Sequence, residues 1–214
     1  MSIYEPATLL TDGLLAVLAG GLAWRLHRRT PAANPAGRWL SRTLGLTALS
    51  ALVGGGYHGF APNFSPAVGE GWWIATLLII NLVSATLALS LLHELRPAGR
   101  RHLWPGLIAV KFALFAVVAI ILQKFVVAII DYGLVMLAWA SAALLLRRMW
   151  SSWMLAAIGL SVAAALVQQL GWAPARQFNH NDLYHVIQAL AIVCFYAAGR
   201  RFTAAPPAIT SAGP

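Results

Sequence analysis

Residues Trp72–Leu92 read WWIATLLIINLVSATLALSLL, and none of them is charged. A transmembrane helix needs about 20 predominantly apolar residues to cross a hydrocarbon core of about 30 Å. This stretch therefore predicts one membrane-spanning helix.

Similar apolar runs recur along the whole chain. It has 214 residues, of which 60% are hydrophobic and 10% charged, whereas soluble domains carry about 25% charged residues. We predict an all-α integral membrane protein with one seven-helix domain over residues 1–202, followed by a disordered, Pro-rich tail at 203–214. The predicted spans are Ala7–Trp24, Leu40–Tyr57, Trp72–Leu92, Trp104–Leu122, Phe125–Leu146, Trp153–Leu170 and Asp182–Ala198.

The basic residues predict the orientation, because positive residues stay on the cytoplasmic side. Twelve arginines follow spans 1, 3, 5 and 7, whereas only two basic residues follow spans 2, 4 and 6. The N terminus is therefore expected outside and the C terminus in the cytoplasm. The twelve are Arg25, Arg28, Arg29, Arg38, Arg42, Arg96, Arg100, Arg101, Arg147, Arg148, Arg200 and Arg201, and the two are Lys124 and Arg176.

The ends of the chain and its charge exclude other classes. Glu5 and Asp12 come before the first cluster of arginines, whereas a cleavable signal peptide begins with basic residues. The net charge of +9 is concentrated at span ends, where it meets anionic membrane lipids rather than nucleic acid. The single cysteine, Cys194, is expected to be a small apolar residue within a span.

Five ionisable side chains are expected at one level near the outer face. Asp12 and His185 lie inside their spans, where a polar group is buried in protein or functional. His58 and His180 lie at span ends and are equally typical of interfacial residues. Asp182 is either a functional carboxylate or the cap of span 7. In a ring of seven helices, spans 7, 1 and 2 would be neighbours.

The histidines predict a zinc site. Catalytic zinc commonly has three protein ligands and a water, and the candidates are His58, His180 and His185. Residues five apart lie about 140° apart around a helix, so His180 can join His185 only if it precedes the regular helix. Asn179 or Asn181 would then be the N-cap. The glycines before His58 either allow close helix packing or loosen the helix end.

Two motifs, GGGYHGF at 54–60 and FNHNDLYHVIQ at 178–188, resemble those of a known superfamily. With the seven spans, they are similar to the alkaline ceramidase and progestin/adipoQ receptor hydrolases, nearest to uncharacterised bacterial members. This resemblance implies a bacterial cytoplasmic membrane protein that hydrolyses a lipid amide or ester from the outer side. It also implies zinc bound by three histidines. Asp12 or Asp182 would accept the proton of the zinc-bound water.

The sequence departs from that pattern at three positions. Gly54 stands where the superfamily has a serine, and Ser50 lies a further turn away. Only Glu70 follows His58 where an aspartate is expected. Asn181 occupies the place of the first histidine of the second motif. The implied third ligand and hydrolytic carboxylate therefore have no direct counterparts.

A second class of function is suggested by a second polar pair. Lys111 lies in span 4 and Asp131 in span 5, and intramembrane charges of this kind mark ion or substrate paths. The pair predicts either a clamp between helices or a small non-enzymatic transporter or sensor. A third interpretation is an assembly factor whose outer polar cluster binds a partner, but most tryptophans fall at span ends as interfacial anchors.

Overall fold

The computed structural model describes residues 1–95 and 103–202. These ranges contain seven α-helices and one short 3-10 helix, at Ala61–Asn63. Three of the twelve arginines, at 96, 100 and 101, lie outside the described residues. So does the tail that is predicted to be disordered, at 203–214. The helices are α1 Pro6–Arg29, α2 Pro35–Phe60, α3 Pro66–Leu95, α4 Leu103–Leu122, α5 Phe125–Leu146, α6 Ser151–Leu170 and α7 His180–Gly199.

The number and order of the helices confirm the sequence prediction, but several helices are longer than the predicted spans. Only α5 has the predicted bounds, and α3 begins six residues earlier, at Pro66 rather than Trp72. An apolar run marks the part of a helix that suits hydrocarbon. Polar residues continue the same helix beyond that part, so hydropathy does not locate its ends.

Six of the seven described helices are long and apolar enough to cross a membrane, as in an integral membrane protein. The exception is α2. Its Gly, Ser and Thr residues and His58 lower its hydropathy, and Thr47, Ser50, Gly54 and His58 line an internal cavity. Since α2 packs against α1, α3 and α7, these polar faces are covered by protein.

Consecutive helices run up and down. The Tyr4 N–H before α1 donates to the Gly59 carbonyl near the end of α2. At the opposite end, Asn34 before α2 donates to the Phe202 carbonyl after α7. The end at which α1, α3, α5 and α7 begin is the predicted outer end. The described arginines among the twelve lie towards the other end.

Six helices form a closed ring in the order α1, α2, α3, α5, α6 and α7. The neighbouring positions of α7, α1 and α2 agree with the prediction. The helix α4 instead packs outside the ring against α3 and α5. Towards the predicted inner end the ring is filled by apolar side chains, including Trp139, which stacks on Phe202 and meets the edge of Trp150. The other half of the ring encloses a cavity.

Candidate functional site

The cavity has a volume of about 300 Å³ and is lined by all six helices of the ring. Its wall is amphipathic. Towards the predicted outer end it carries four of the five predicted site residues: Asp12, His58, His180 and His185. The apolar part of its wall is formed by Leu15, Ile80, Val83, Ile129, Met136 and Val162.

Asp12 and His185 form the most buried polar pair on this wall. Asp12 is 3% and His185 9% exposed, and Asp12 Oδ1 lies 3.1 Å from His185 Nε2. His185 Nδ1 lies 3.1 Å from Thr11 Oγ1. Since the Thr11 hydroxyl donates to the Thr8 carbonyl, its oxygen can accept from Nδ1–H. With Nδ1–H donating to Thr11, the hydrogen bond between His185 Nε2 and Asp12 Oδ1 needs one further proton, which either of these two atoms can carry.

The second oxygen of this carboxylate has no partner. Asp12 Oδ2 is buried and accepts no hydrogen bond from the residues that the structure describes. Leaving a buried polar atom unpaired costs about 1–3 kcal/mol, and more when it is charged. Oδ2 therefore keeps an unused capacity to accept a hydrogen bond or a proton.

A glycine on α2 allows Asp12 to occupy this position. A Cβ atom added at Gly55 would lie 2.7 Å from Asp12 Cβ, and one at Gly56 would lie 2.6 Å from the ring of Trp72. Real Cβ atoms do not approach other atoms so closely, so α1 and α3 can approach α2 only because these positions lack side chains. Of the two sequence-based interpretations of the glycines, close packing is confirmed.

Asp182 lies outside the cavity wall and serves as a helix cap. Asn179 is the N-cap of α7, and Asp182 Oδ2 accepts from its N–H at 2.7 Å, completing a capping box. Asp182 Oδ1 accepts from the Thr8 hydroxyl at 2.8 Å, which ties α7 to α1. The structure therefore shows the capping role considered from the sequence, while the catalytic role stays a prediction.

His58 and His180 lie at the mouth of the cavity. His58 Nδ1 is 3.4 Å from Glu5 Oε1, and its ring meets Tyr57 and Trp73 edge-on. His180 is the first residue of α7 and makes no hydrogen bond through its ring to any other described residue. Each of these histidines keeps a ring nitrogen that has no hydrogen-bond partner among the described residues.

The predicted zinc ligands share one cavity but are not arranged as a metal site. The ranges 1–95 and 103–202 contain no group of three or more His, Cys, Asp or Glu side chains placed to hold an ion. His180 lies within α7 rather than before it, so the condition set by its five-residue spacing from His185 is not met. The reason is that Asn179 caps the helix directly before His180. Both ring nitrogens of His185 are also engaged.

Lys111 and Asp131 pair, as the sequence allowed. The Lys111 ammonium contacts the Asp131 carboxylate and donates to Ser84 Oγ at 2.8 Å. Ser84 in turn donates to the Asp131 carbonyl. The pair thus joins α3, α4 and α5 and holds the peripheral helix against the ring. Neither residue lines the cavity, and this position is that of a clamp between helices.

Three features of the site were missed by the sequence interpretation. Thr8 and Thr11 appear in the sequence as ordinary residues of an apolar span, but their hydroxyls position Asp182 and His185. Gln188 lies one turn deeper than His185 on the same helix and also lines the cavity. A spacing of three or four residues on a helix places side chains on one face, and this signal could have found Thr8, Thr11 and Gln188.

The profile of a family described as "Family of unknown function (DUF6962)" matches residues 7–204. The chain belongs to this family. The match covers all seven helices apart from Pro6, and it includes Asp12, His58 and His185 but not Glu5. The chain matches no curated protein and no solved structure at a significant level, so the resemblance to the ceramidase superfamily stays a prediction.

In this DUF6962 protein, the arrangement of the cavity defines what it can bind and do. A mostly apolar wall with a few placed polar groups is typical of sites for small amphiphilic molecules. The polar groups at the mouth suit a headgroup, and the deeper apolar wall suits a hydrocarbon chain. Asp12 belongs to the same wall, and its Oδ2 has no hydrogen-bond partner among the described residues.

Proposed function

We propose that this protein binds a lipid-like amphiphile in the cavity of its six-helix ring and hydrolyses an amide or ester bond of that ligand. The reaction would take place near the outer side of a bacterial cytoplasmic membrane, in the orientation that the arginines predict. The observation that carries the proposal is that Asp12 lines the cavity and that its Oδ2 has no hydrogen-bond partner among the described residues.

The ligand would enter the cavity from the bilayer between α5 and α6. Val162 of α6 lines the cavity and is 49% exposed. Gly133 of α5 also lines the cavity, and a Cβ atom added there would meet nothing within 4 Å. The open space at Gly133 and the exposure of Val162 support entry of a hydrocarbon chain at this side of the ring.

Asp12 is the residue that would carry out the proton transfers. Its Oδ2 accepts a proton from a water molecule, whose oxygen adds to the carbonyl carbon of the ligand. The protonated carboxyl then returns the proton to the leaving nitrogen or oxygen as the C–N or C–O bond breaks. His185, whose other ring nitrogen contacts Thr11, holds Oδ1, so Oδ2 is the oxygen left for proton transfer. General acid–base catalysis of this kind contributes about 10²–10⁴-fold to a rate.

Zinc stays a prediction for this site. Imidazole is a suitable zinc ligand, and His58 and His180 each keep a ring nitrogen without a partner within residues 1–95 and 103–202. The three histidines do not form a coordination group as they stand, because His185 is bonded to both Asp12 and Thr11. No step of the proposed reaction requires the ion.

The alternative function, transport or sensing through Lys111 and Asp131, has weaker support. Their charges would need to face a path for an ion or a substrate. The described structure places them between α3, α4 and α5 and away from the cavity wall. Their contacts are those expected of a structural clamp.

The proposal is tested by hydrolysis in detergent–lipid micelles. Purified protein is given a panel of N-acyl amide lipids and matched esters, and the released fatty acid is quantified by mass spectrometry. At least one lipid should be hydrolysed, and Asp12→Asn should lower kcat by about 10²-fold or more. Asp131→Asn is the matched control, since it also neutralises a buried aspartate but lies outside the cavity. No release by the parent protein, or equal loss in both variants, would refute the assignment.

A further inference from the structure

The deep part of the cavity contains hydrogen-bonding groups without partners. Ser161 is 6% exposed, lines the cavity, and its hydroxyl has no hydrogen-bond partner among the described residues. Gln188, 8% exposed, and Tyr132 line the same cavity. Neither the Gln188 amide nor the Tyr132 hydroxyl bonds to another described residue. These groups lie beyond the polar residues at the mouth.

The three residues lie at similar distances from the outer ends of three different helices. With a rise of about 1.5 Å per residue, Tyr132 lies about 10 Å from the outer end of α5. By the same measure Ser161 lies about 14 Å from the outer end of α6, and Gln188 about 12 Å from that of α7. Asp12 lies about 9 Å from the start of α1. Measured from the ends of their own helices, the three groups therefore lie about 1–5 Å further in than Asp12.

Unpaired polar groups are costly at this depth. A buried hydroxyl or amide without a partner costs about 1–3 kcal/mol, and inside a bilayer there is no bulk water to replace the partner. A wall built only to hold a hydrocarbon chain would carry Leu or Val at these positions. Three such groups from α5, α6 and α7 thus point to a polar group on the ligand itself.

We propose that the ligand carries a second hydrogen-bonding group, such as a hydroxyl, on its chain a few atoms beyond the bond next to Asp12. This group binds Gln188, Ser161 and Tyr132. The ligand class is therefore a lipid amide or ester with an oxygen-bearing chain rather than a plain saturated acyl chain. The inference rests on the proposed function and defines the specificity of that same cavity.

The test compares two sets of non-hydrolysable amphiphiles of equal chain length. One set has a plain saturated chain, and the other has a hydroxyl at successive carbons from the head. Their Kd values are measured by titration into the full-length protein in detergent–lipid micelles. The probe whose hydroxyl lies at the carbon nearest Gln188, Ser161 and Tyr132 should bind about tenfold tighter than the plain probe. One or two net hydrogen bonds supply a difference of that size.

The variants separate a binding role from a structural one. In a Ser161→Ala/Gln188→Leu double variant the plain and hydroxylated probes should have about equal Kd values. The plain probe should bind this variant as well as it binds the parent protein, or better. Ser50→Ala is the matched control. Ser50 also lines the cavity, but its hydroxyl already donates to the Thr47 carbonyl, so the preference should remain.

Each other outcome has a definite meaning. If plain and hydroxylated probes bind the parent protein equally well, or if the preference survives the double variant, the second polar group is refuted while amphiphile binding stands. If no probe of either set binds, the proposed function is refuted together with this inference.

Discussion

Removing the charge of Lys111 should destabilise the bundle, and removing the charges of both Lys111 and Asp131 should restore its stability. Asp131 is 1% exposed and lies within α5, and one of its carboxylate oxygens already lacks a partner among the described residues. Lys111→Met would leave this carboxylate with no cation to pair with. Breaking a buried ion pair from one side costs about 3–5 kcal/mol.

This cost can be converted into a melting temperature. For chains of 150–250 residues, each kcal/mol shifts Tm by roughly 2–4 °C. A cost of about 3–5 kcal/mol therefore lowers Tm by roughly 6–20 °C. The double variant Lys111→Met/Asp131→Leu replaces both charges by apolar side chains of similar size. Such replacements are often neutral or stabilising. The Tm of the double variant should therefore lie within about 4 °C of the parent value, a shift that corresponds to roughly 1 kcal/mol.

The assay is thermal unfolding of purified protein in detergent–lipid micelles, followed by tryptophan fluorescence. The cavity ligand should be processed normally by the double variant, because neither residue lines the cavity. A double variant as unstable as Lys111→Met, or one that folds but loses lipid hydrolysis, would refute the clamp and favour a functional pair.

Two further predictions concern the site. A Cβ atom added at Gly55 would meet Asp12, whereas one added at Gly21 would meet nothing within 4 Å. Gly55→Ala should therefore lower the free energy of unfolding by about 1–3 kcal/mol relative to Gly21→Ala, because overpacking costs about that much. Both variants gain the same helix propensity, so the difference reports the contact alone. Equal Tm values would show that the two helices can separate freely. Elemental analysis tests the zinc site predicted from the sequence. About one ion per chain, lost in His58→Ala/His185→Ala, would establish that site. Clearly less than one ion per chain is expected if His185 keeps its contacts with Asp12 and Thr11.

The sequence predicts the helices of this fold better than their arrangement. Apolar runs and alternating arginines define seven helices and their up-and-down order, because both signals come from the membrane rather than from packing. The position of α4 outside the ring depends instead on side-chain contacts, such as those of Lys111 with Ser84 and Asp131. No periodic pattern in the sequence records those contacts.

The site was predictable in part for the same reason. Depth along a span placed Asp12, His58 and His185 at one level, and all three line the cavity. Which atoms face each other depends on helix rotation and on close contacts such as that at Gly55. The five-residue spacing of His180 and His185 set a condition for a shared ion, namely that His180 precedes the regular helix, and α7 instead begins at His180.

The central claim is that the cavity holds one lipid-like amphiphile, and native mass spectrometry of the protein released from micelles measures this directly. Gly133→Trp places an indole beside the cavity, where a Cβ atom has open space. Gly159→Trp is the control, since it also has open space but does not line the cavity. Our account predicts one retained amphiphile per chain in the parent and in Gly159→Trp, and none in Gly133→Trp. A parent protein without retained lipid, or equal retention in both variants, would contradict it.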